Sequence, residues 1–468
     1  MGTYTKEQLE TELTRIKNAV ASCRTAIYNK GVTTIPSNVT LAQLPTYVNM
    51  IQCTHPDILL KWLGNGTSYS ATRADVYFDT GIKGTTYTTF DAVFSRPVTG
   101  GDAMLFGADD AVWSAYFFIP YFGSGYQFWF SNGPSNSGNW RPSGTPSNVG
   151  NFVHLGFSKN PHNANNYSFI YINGSSYTKS LSYTSETSSN NIYLFARNKG
   201  SNGVDCKAYN GTRIKFIKFI DTHEGKVLRF FIPVLHWRNG EYVPCFYDKV
   251  TDSYIYNLGT GTVSYESYDY KMCDSIYYNT RVTNTAYGFI TDKTWKIGDS
   301  IFAKTSAETL SGEQYICGWR KPDNGNYKFG LCWAAASFCS YYPTSGNSTG
   351  VVSSVKASAG NTYNLGSIVT GTSLYRRINV NGTYTDKSTA EYSNNTVANK
   401  KYFILGNNGN IYPNTRVYYA SIHSLTNDIT YNYIPILDGT TPKFIDLETG
   451  NKIAYNGSAS AVSYDLLD

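Results

Sequence analysis

The sequence predicts a mainly β protein in which two similar β-sandwiches follow a short helical N-terminal module. Three observations predict this fold: a closing motif that occurs twice about 200 residues apart, many short alternating segments separated by Asn-Gly, and a heptad pattern confined to the start of the chain. Charged residues make up only 15% of the chain and aromatic residues 16%, with 41 Tyr and 41 Gly, a composition typical of pleated strands and tight turns.

The N-terminal segment carries apolar residues at heptad spacing. They step by 4, 3, 4, 3 and 4 positions, which is the seam of a coiled coil. Thr5 is placed to cap this helix, with Gln8 at the third position of a capping box, and Gly31 is a stop signal. The predicted oligomerisation residues are Leu9, Leu13, Ile16, Val20, Cys23 and Ile27.

Residues 1–55 are therefore the predicted helical oligomerisation and attachment module. A second, shorter amphipathic pattern follows over residues 41–51. A helical pair of this size needs a partner: copies of itself through residues 5–30, a larger body, or the sandwich that follows. The strict spacing favours a homo-oligomer. The choice between dimer and trimer stays open because the seam mixes Leu, Ile, Val and Cys.

From Ile58 onward the sequence predicts short strands and no helix, with Asn-Gly pairs marking two-residue hairpins. The closing motif consists of an Ile-Pro strand, a Phe-x-Asp-x-x-Thr turn and an Asn followed by Gly. The offset between its copies at Ile232 and Ile434 is 434 − 232 = 202, the size of one sandwich domain. The predicted domains are residues 57–266 and 267–468. Segments further upstream also correspond: 104–107 with 315–318, 170–174 with 378–382, 193–195 with 402–405, and 212–216 with 415–419.

Charge and hydropathy argue against several function classes. The formal charge of +6 is spread thinly, and no run of Lys and Arg is dense enough for a nucleic-acid footprint. No apolar stretch reaches the roughly 18 residues that a membrane span needs. The eight cysteines form no C-x-x-C pair, and no secretion signal precedes them, so we expect reduced thiols, no cofactor, and synthesis in a host cytoplasm.

The order of these segments resembles the laminin-G-like, concanavalin A-like jelly-roll domains of structural proteins in tailed phages. The resemblance rests on Tyr-Phe-Asp-Thr-Gly-Ile at residues 77–82, Phe-Gly at 106–107, Ile-Asn-Gly at 172–174 and the closing block at 232–261. The second copy keeps the closing motif but offers only Ile-Thr-Asp-Lys at residues 290–293 where the first copy has its opening.

The head of the chain also resembles a known kind of segment, the N-terminal anchor of phage fibre and tail components, at residues 15–17, 26–32, 41–45 and Ile51. The resemblance implies a virion surface protein: a head fibre, a tail fibre or a capsid decoration. It would be displayed on the particle and attached to other virion proteins through its N-terminal module.

The carboxylates and histidines show no pattern typical of a catalytic or metal site. Related folds include glucanases with Glu-x-Asp-x-Glu on one strand, and here no Glu is followed two positions later by Asp. Asp446 and Glu448 lie in a turn-like segment. Asp109-Asp110 and Asp248 with Asp252 lack EF-hand spacing, and the six histidines are scattered. We therefore predict no catalytic residue, no metal site and no enzymatic activity.

Glycan binding is the binding activity that the sequence favours. Sugars stack their C–H faces on Trp and Tyr rings and hydrogen-bond to Asn and Asp. The candidate residues in the first sandwich are Trp129, Trp140 and Arg141, and those in the second are Trp319, Arg320, Asp323 and Asn324, taken as their analogues.

The predicted function is a non-enzymatic virion fibre or decoration protein, in which weak sites on identical copies act together. Two alternatives stay open. A bacterial surface adhesin or lectin would carry an export signal, and a glycan depolymerase would release reducing ends from polysaccharide.

Overall fold

The computed structural model of the chain describes most of both sandwiches and part of the N-terminal module. The described residues are 5–29, 36–44, 47, 55–66, 72–85, 87–97, 104–109, 115–122, 125–131, 139–140, 150–159, 167–173, 175–180, 188–279, 282–285, 287–296, 298–307, 310, 312–320, 328–334, 336–343, 348–370, 375–388, 400–406, 409–411, 414–424, 429–457 and 461–467.

The chain divides into two compact units, an N-terminal unit that ends at Pro56 and a β unit over residues 57–467. The N-terminal unit contains helix α1 (Lys6–Asn29) and a short 3₁₀ helix (Leu41–Gln43). The predicted cap of α1 is confirmed: the Thr5 amide donates to Gln8 Oε1 at 2.9 Å, and the Gln8 amide donates to Thr5 Oγ1 at 3.2 Å. The predicted stop at Gly31 lies outside the described residues.

The β unit consists of strands and short connections, with a 3₁₀ helix at Gly200–Asn202. The strands of its first half are β1 (Ile58–Asn65), β2 (Phe78–Lys83), β3 (Thr88–Ser95), β4 (Phe106–Ala108), β5 (Ala115–Phe122), β6 (Gly125–Ser131), β7 (Asn139–Trp140), β8 (Val153–Lys159), β9 (Tyr167–Ile172), β10 (Ser175–Ser180), β11 (Asn191–Leu194), β12 (Arg197–Asn198), β13 (Val204–Asp205), β14 (Arg213–Asp221), β15 (Lys226–Arg238), β16 (Glu241–Asp248) and β17 (Ser253–Ile255).

Strand β18 (Val263–Tyr278) leads into the second half. The strands that follow are β19 (Val282–Thr285), β20 (Phe289–Thr294), β21 (Ser300–Ser306), β22 (Glu313–Arg320), β23 (Lys328–Ala334), β24 (Ser337–Pro343), β25 (Ser348–Lys356), β26 (Thr362–Thr370), β27 (Tyr375–Val380), β28 (Thr383–Ser388), β29 (Lys401–Ile404), β30 (Gly409–Ile411), β31 (Arg416–Ser424), β32 (Ile429–Asp438), β33 (Thr441–Asp446), β34 (Lys452–Ile453) and β35 (Val462–Leu466).

The two halves have the same strand pairing. In the first half, one layer runs β10-β9-β8-β3-β14-β15-β16-β17 and the other β2-β11-β4-β5-β6-β7. In the second half the layers run β28-β27-β26-β21-β31-β32-β33-β34 and β20-β29-β22-β23-β24-β25. Every strand in these layers has a counterpart, so the predicted mainly β fold with tandem sandwiches is confirmed.

The closing motif has the same geometry in both copies. Pro233 lies opposite Phe246 between β15 and β16, and Pro435 lies opposite Phe444 between β32 and β33. The Asp two residues after each Phe is buried and binds the turn that follows. Asp248 accepts hydrogen bonds from the Phe230 and Val250 amides and the Thr251 hydroxyl, and Asp446 accepts from the Glu448 amide and the Thr449 hydroxyl.

Two Asn-Gly pairs form the predicted two-residue hairpins, whereas Asn65 ends β1, and Asn210-Gly211 and Asn456-Gly457 lie in other turns. Between β15 and β16, Asn239 and Gly240 have φ of 53° and 94°, and between β27 and β28, Asn381 and Gly382 have φ of 50° and 92°. Both residues of such a turn need positive φ, which Asn and Gly adopt at low cost.

Each sandwich has its own hydrophobic core. The first core contains Phe78, Phe94 and Phe246, and the second contains Trp333 and Phe444, all at most 1% exposed. Burial of such cores between two layers is the main favourable term in folding.

A third apolar cluster joins the two sandwiches, and the sequence did not predict it. It packs the outer face of the β3–β14–β15–β16 layer against the outer face of the β21–β31–β32–β33 layer, with the rings of Phe230 and Tyr419 edge to face at 5.4 Å. Its buried members are Leu59, Val93, Phe216, Val227, Phe230, Ile232, Val234, Cys245, Tyr247, Met272, Phe302, Tyr419, Ile434, Ile436, Ile445, Leu447 and Leu467.

The predicted domain boundary at residue 266 falls inside strand β18. Residues 263–271 of this strand pair with β1, and residues 273–278 pair with β35. One continuous strand therefore contributes to both sandwiches. Together with the third cluster it makes residues 57–467 one compact unit.

Candidate functional site

The predicted glycan-binding residues of the first sandwich lie in and next to its second layer. Trp129 pairs with Phe117 and Asn139, and Trp140 pairs with Phe128, so both belong to the β5–β6–β7 edge of that layer. Their backbones are described and their side chains are not; Arg141 lies outside the described residues. Glycan binding by these residues stays a prediction.

The predicted residues of the second sandwich occupy a different place. Trp319 and Arg320 end β22, the counterpart of β4, whereas Trp129 lies on β6, the counterpart of β24. The two sets are therefore not analogues, because the sequence match followed local aromatic and basic residues and not strand order. Asp323 and Asn324 lie outside the described residues.

Trp319 is a core residue in this structure, which corrects the prediction that its ring is a platform for sugars. Its side chain is 7% exposed and its ring stacks on Phe329 at 6.1 Å. The Lys400 ammonium lies 5.5 Å from the ring centroid. The indole therefore packs within the second sandwich and is not open to a ligand in solution.

The predicted oligomerisation residues form an apolar stripe along the first half of α1. Leu9, Leu13 and Ile16 are 56%, 53% and 44% exposed, although large apolar side chains elsewhere in the described chain are mostly buried. Val20 is half-buried and packs with Val39 and Leu44 of the same unit. We call Leu9, Leu13 and Ile16 the α1 stripe. Cys23 is exposed, and the side chain of Ile27 is not described.

A surface cleft of about 410 Å³ lies beside the β15–β16 hairpin. Its distinguishing feature is the Arg238 guanidinium, which lies 4.2 Å from the centroid of the Tyr256 ring, with the Glu241 carboxylate also lining the cleft. An aromatic ring beside charged groups that donate and accept hydrogen bonds is the chemistry that recognises a polar ring such as a sugar. The sequence alone did not reveal this cleft because two complete strands, β16 and β17, separate Arg238 from Tyr256 along the chain.

A group of charged and polar side chains lies where the two sandwiches meet, and all of them are buried except Glu448, which is half-buried. His154 Nε2 lies 2.6 Å from Asp91 Oδ1, and His154 Nδ1 lies 3.0 Å from Glu448 Oε1. The Lys218 ammonium is 3.6 Å from Asp91 Oδ2 and donates to Asn432 Oδ1 at 2.8 Å. We call these five residues the interface polar cluster; the first sandwich supplies Asp91, His154 and Lys218, and the second supplies Asn432 and Glu448.

Charge pairing within the cluster sets its protonation. Burial opposes a charge on His154, but the Asp91 and Glu448 carboxylates outweigh it and raise the pKa of His154 to about 10. Burial likewise opposes the Asp91 charge, and His154 and Lys218 outweigh it and hold the Asp91 pKa at about 2. Burial lowers the pKa of Lys218 to about 8 and that of the neighbouring His423 to about 4.

The cluster has the chemistry of a structural contact. Both ring nitrogens of His154 face carboxylates, so neither is directed at a hydroxyl or thiol that it could activate as a nucleophile. Buried charges of this kind are retained when each has an opposite charge or a hydrogen-bond partner.

Three further contacts join the sandwiches. The buried Lys304 ammonium of β21 pairs with the Asp252 carboxylate of the first closing turn. The carbonyl groups of His223 and Glu224 accept hydrogen bonds from Arg377 and Asn379, both on β27.

Three of the carboxylates considered as metal or catalytic groups have partners inside the fold, and Asp110 lies outside the described residues. Asp252 pairs with Lys304, Asp109 lies 3.4 Å from Arg197, and Asp446 is held in its turn with a pKa raised to about 6 by burial. Within the described ranges, no three His, Cys, Asp or Glu side chains gather as a metal would require. None of the helices in the described part of the chain is both long and apolar enough to cross a membrane.

Comparison with known proteins finds similar solved structures at low identity. The mouse laminin alpha1 chain, domains LG4-5, is 10% identical with a TM-score of 0.27, covering 81% of this chain and 93% of that one. The LG1-3 region of the laminin alpha2 chain is 10% identical with a TM-score of 0.26, covering 88% and 66%. The NanB sialidase from Streptococcus pneumoniae is 10% identical with a TM-score of 0.22, covering 87% and 82%.

Laminin LG domains are the class that the sequence resembles, and at this level of likeness the assignment of the fold rests on the strand pairings described above. No protein-family model and no curated protein sequence matches the chain.

Proposed function

We propose that the chain is a homo-oligomeric virion surface protein, a head fibre, tail fibre or capsid decoration, that associates through helix α1 and displays its paired sandwiches. The observation that carries this proposal is the α1 stripe. Three large apolar side chains at coiled-coil spacing are exposed on this helix.

A second copy of the same helix is the occupant that fits this stripe. With Leu13 and Val20 at heptad position a, and Leu9 and Ile16 at position d, Glu12 takes position g and Lys17 position e. In a parallel coiled coil, the g residue of one helix lies next to the following e residue of the other. Glu12 and Lys17 therefore supply opposite charges across the seam, which favours a parallel homo-oligomer.

Cross-linking at Cys23 tests the parallel arrangement. Cys23 takes position d in this register and is exposed in the single chain, so it meets its own copy in a parallel oligomer. Mild oxidation of the full chain is expected to give a covalent dimer on a non-reducing gel, and Cys23→Ser is expected to abolish it. A Cys23-containing chain that stays monomeric on the gel would argue against the parallel seam.

The virion location is supported by the order of the head segment and the two sandwiches, which resembles that of phage structural proteins. The test is gold labelling of purified particles with an antibody raised against the folded chain. Gold on the particle surface is expected. Particles that contain the protein after disruption but bind no antibody when intact would contradict display.

Glycan binding at the Arg238–Tyr256 cleft is a second candidate function, favoured by its aromatic ring and flanking charges. A glycan array with the full chain is expected to give hits that Arg238→Ala and Tyr256→Ala remove. Tyr265→Ala, at an exposed tyrosine that does not line the cleft, is the matched control. An array without hits would leave an architectural role, and release of reducing ends from capsule polysaccharide would favour a depolymerase instead.

A further inference from the structure

Two cysteines of the second sandwich lie directly opposite each other on neighbouring strands. Cys332 on β23 and Cys339 on β24 are register partners in the hairpin that joins these strands. Both are free thiols, and both are buried. Nothing in the fibre or glycan-binding proposals uses them.

Their position lets the two sulfur atoms meet. Directly opposed residues of an antiparallel pair have Cα atoms about 4.5–5.5 Å apart, within the range of about 4.4–6.8 Å that a disulfide spans. Leu331 and Trp333 point into the second core, so Cys332, between them, points to the other face of the sheet. On that face both cysteines belong to one small cluster with Tyr315.

The surroundings of the two thiols shift their pKa values in opposite directions. Hydrogen bonds from Cys332 and Tyr341 to Cys339 outweigh burial and lower the pKa of Cys339, whereas burial raises the pKa of Cys332. Cys339 is therefore the better nucleophile at neutral pH, and Cys332 is placed to resolve what forms on it.

We propose that Cys332 and Cys339 form a redox-active dithiol that a small peroxide closes to an intrachain disulfide. The Cys339 thiolate attacks one oxygen of hydrogen peroxide, the O–O bond breaks, and hydroxide leaves and takes up a proton. The resulting sulfenic acid at Cys339 is attacked by the Cys332 sulfur, the S–O bond breaks, and a second water leaves. The two thiols lose two electrons, and the peroxide gains them.

The other buried cysteines of the described sandwiches have no such partner. Cys245 lies opposite Val234, Cys273 opposite Leu466, and Cys317 opposite Leu331 and Ile404. Burial alone raises the pKa of Cys317, which keeps its thiol protonated and unreactive. They are internal controls for the pair.

The test uses the full folded chain treated with hydrogen peroxide, denatured in an excess of alkylating reagent and digested without reductant. A peptide linking Cys332 to Cys339, lighter by two hydrogen atoms than the paired thiols, is expected, and dithiothreitol is expected to restore both thiols. Cys339→Ser is expected to leave Cys332 fully alkylated, and Cys317→Ser to leave the linked peptide unchanged.

The exposed Cys23 reports whether the oxidant acted. Oxidised Cys23 with both Cys332 and Cys339 still alkylated would overturn the proposal. So would Cys339 oxidised to sulfinic acid beside an alkylated Cys332, since that outcome means that the second thiol does not resolve the first. The wild-type chain alone decides between these results, so the proposal does not depend on the folding of the Cys339→Ser variant.

Discussion

Single buried carboxylates hold the closing turn of each sandwich. Asp248 and Asp446 are 0% and 2% exposed, and each accepts hydrogen bonds from backbone amides and from the Thr three positions on. In both copies the amide four residues after the Asp bonds back to the Asp carbonyl. The Phe-x-Asp-x-x-Thr motif thus encodes a turn, and its repetition in the sequence reflects that geometry.

Removal of one of these carboxylates is expected to destabilise the fold strongly. Asp248→Ala leaves the buried Phe230 amide and the half-buried Val250 amide without their acceptor, which costs about 2–4 kcal/mol of unfolding free energy. Urea unfolding followed by tryptophan fluorescence measures the change. Asp292→Ala, at a carboxylate that is 59% exposed, is the control and is expected to change stability by less than about 0.5 kcal/mol. Equal effects of the two would contradict this role of Asp248.

His154 is expected to give the protein a characteristic alkaline instability. Because its pKa is raised from 6.5 to about 10 in the fold, its charge stabilises the fold fully below about pH 6.5, and that contribution is lost as the pH rises toward 10. The titratable groups that interact with it are Asp91, Glu448 and His423, and Lys218 pairs with the same Asp91.

The measurement compares wild type with His154→Gln in urea at about pH 6 and about pH 10. The stability advantage of the wild type is expected to shrink by on the order of 2–3 kcal/mol between the two. Lys218 is present in both proteins, so the comparison removes its effect. Its lowered pKa makes the stability of the fold rise with pH over this range, which is opposite to the effect of His154. A difference that stays constant with pH would contradict a charged His154.

At the scale of single elements, local sequence signals were sufficient to predict where the helix starts and where two of the hairpins turn. The capping box predicted the start of α1 because both partners lie within one turn, and Asn-Gly predicted the hairpins because φ is a local property. The same signals could not place Trp319 correctly, since its burial depends on Phe329 and Lys400, which approach it only in the folded sheet.

Two glycine substitutions distinguish strain within a single hairpin from disruption of the contact between the two sandwiches. Gly240 has a φ of 94°, and the space that a Cβ would occupy there is open, so Gly240→Ala costs only backbone strain, about 1–2 kcal/mol. Gly366 has no unusual φ, but a Cβ there would lie 1.9 Å from the Gly225 carbonyl oxygen in the turn after β14. Gly366→Ala therefore forces that turn away from β26.

Hydrogen exchange is the measurement that distinguishes them. Gly366→Ala is expected to increase exchange in the turn at residues 222–225, whereas Gly240→Ala is expected to leave it unchanged and increase exchange only at its own hairpin. Unchanged exchange at residues 222–225 in Gly366→Ala would contradict the close contact between this turn and β26.

At the scale of the whole molecule, the tandem sandwiches were predictable from the sequence, but their packing against each other was not. The repeat is visible in the sequence because each copy needs the same turns and strand order. The third apolar cluster includes Ile232 and Ile434 of the repeated motif, and the repeat alone does not show that the two outer faces pack against each other. The interface polar cluster is encoded by residues that differ between the copies: Lys218 and Ser421 occupy corresponding positions, as do Phe230 and Asn432. A search for similarity between the halves passes over such residues, because the contact depends on their complementarity.

The packing of the two sandwiches against each other determines which surfaces the proposed oligomer would display together. A compact unit with a continuous β18 and buried charges across its interface presents surfaces of both sandwiches in one fixed arrangement. Copies joined at α1 would then carry several identical surfaces, and weak binding at each would add through effective concentration.

Sedimentation equilibrium of the full chain tests the central claim, that the α1 stripe joins identical copies, most directly. The account predicts two or three times the chain mass of 52.0 kDa for the wild type and for Thr14→Glu, which lies off the stripe, and a single chain for Leu13→Glu. A wild-type mass of 52.0 kDa, or an unchanged oligomer in Leu13→Glu, would contradict it.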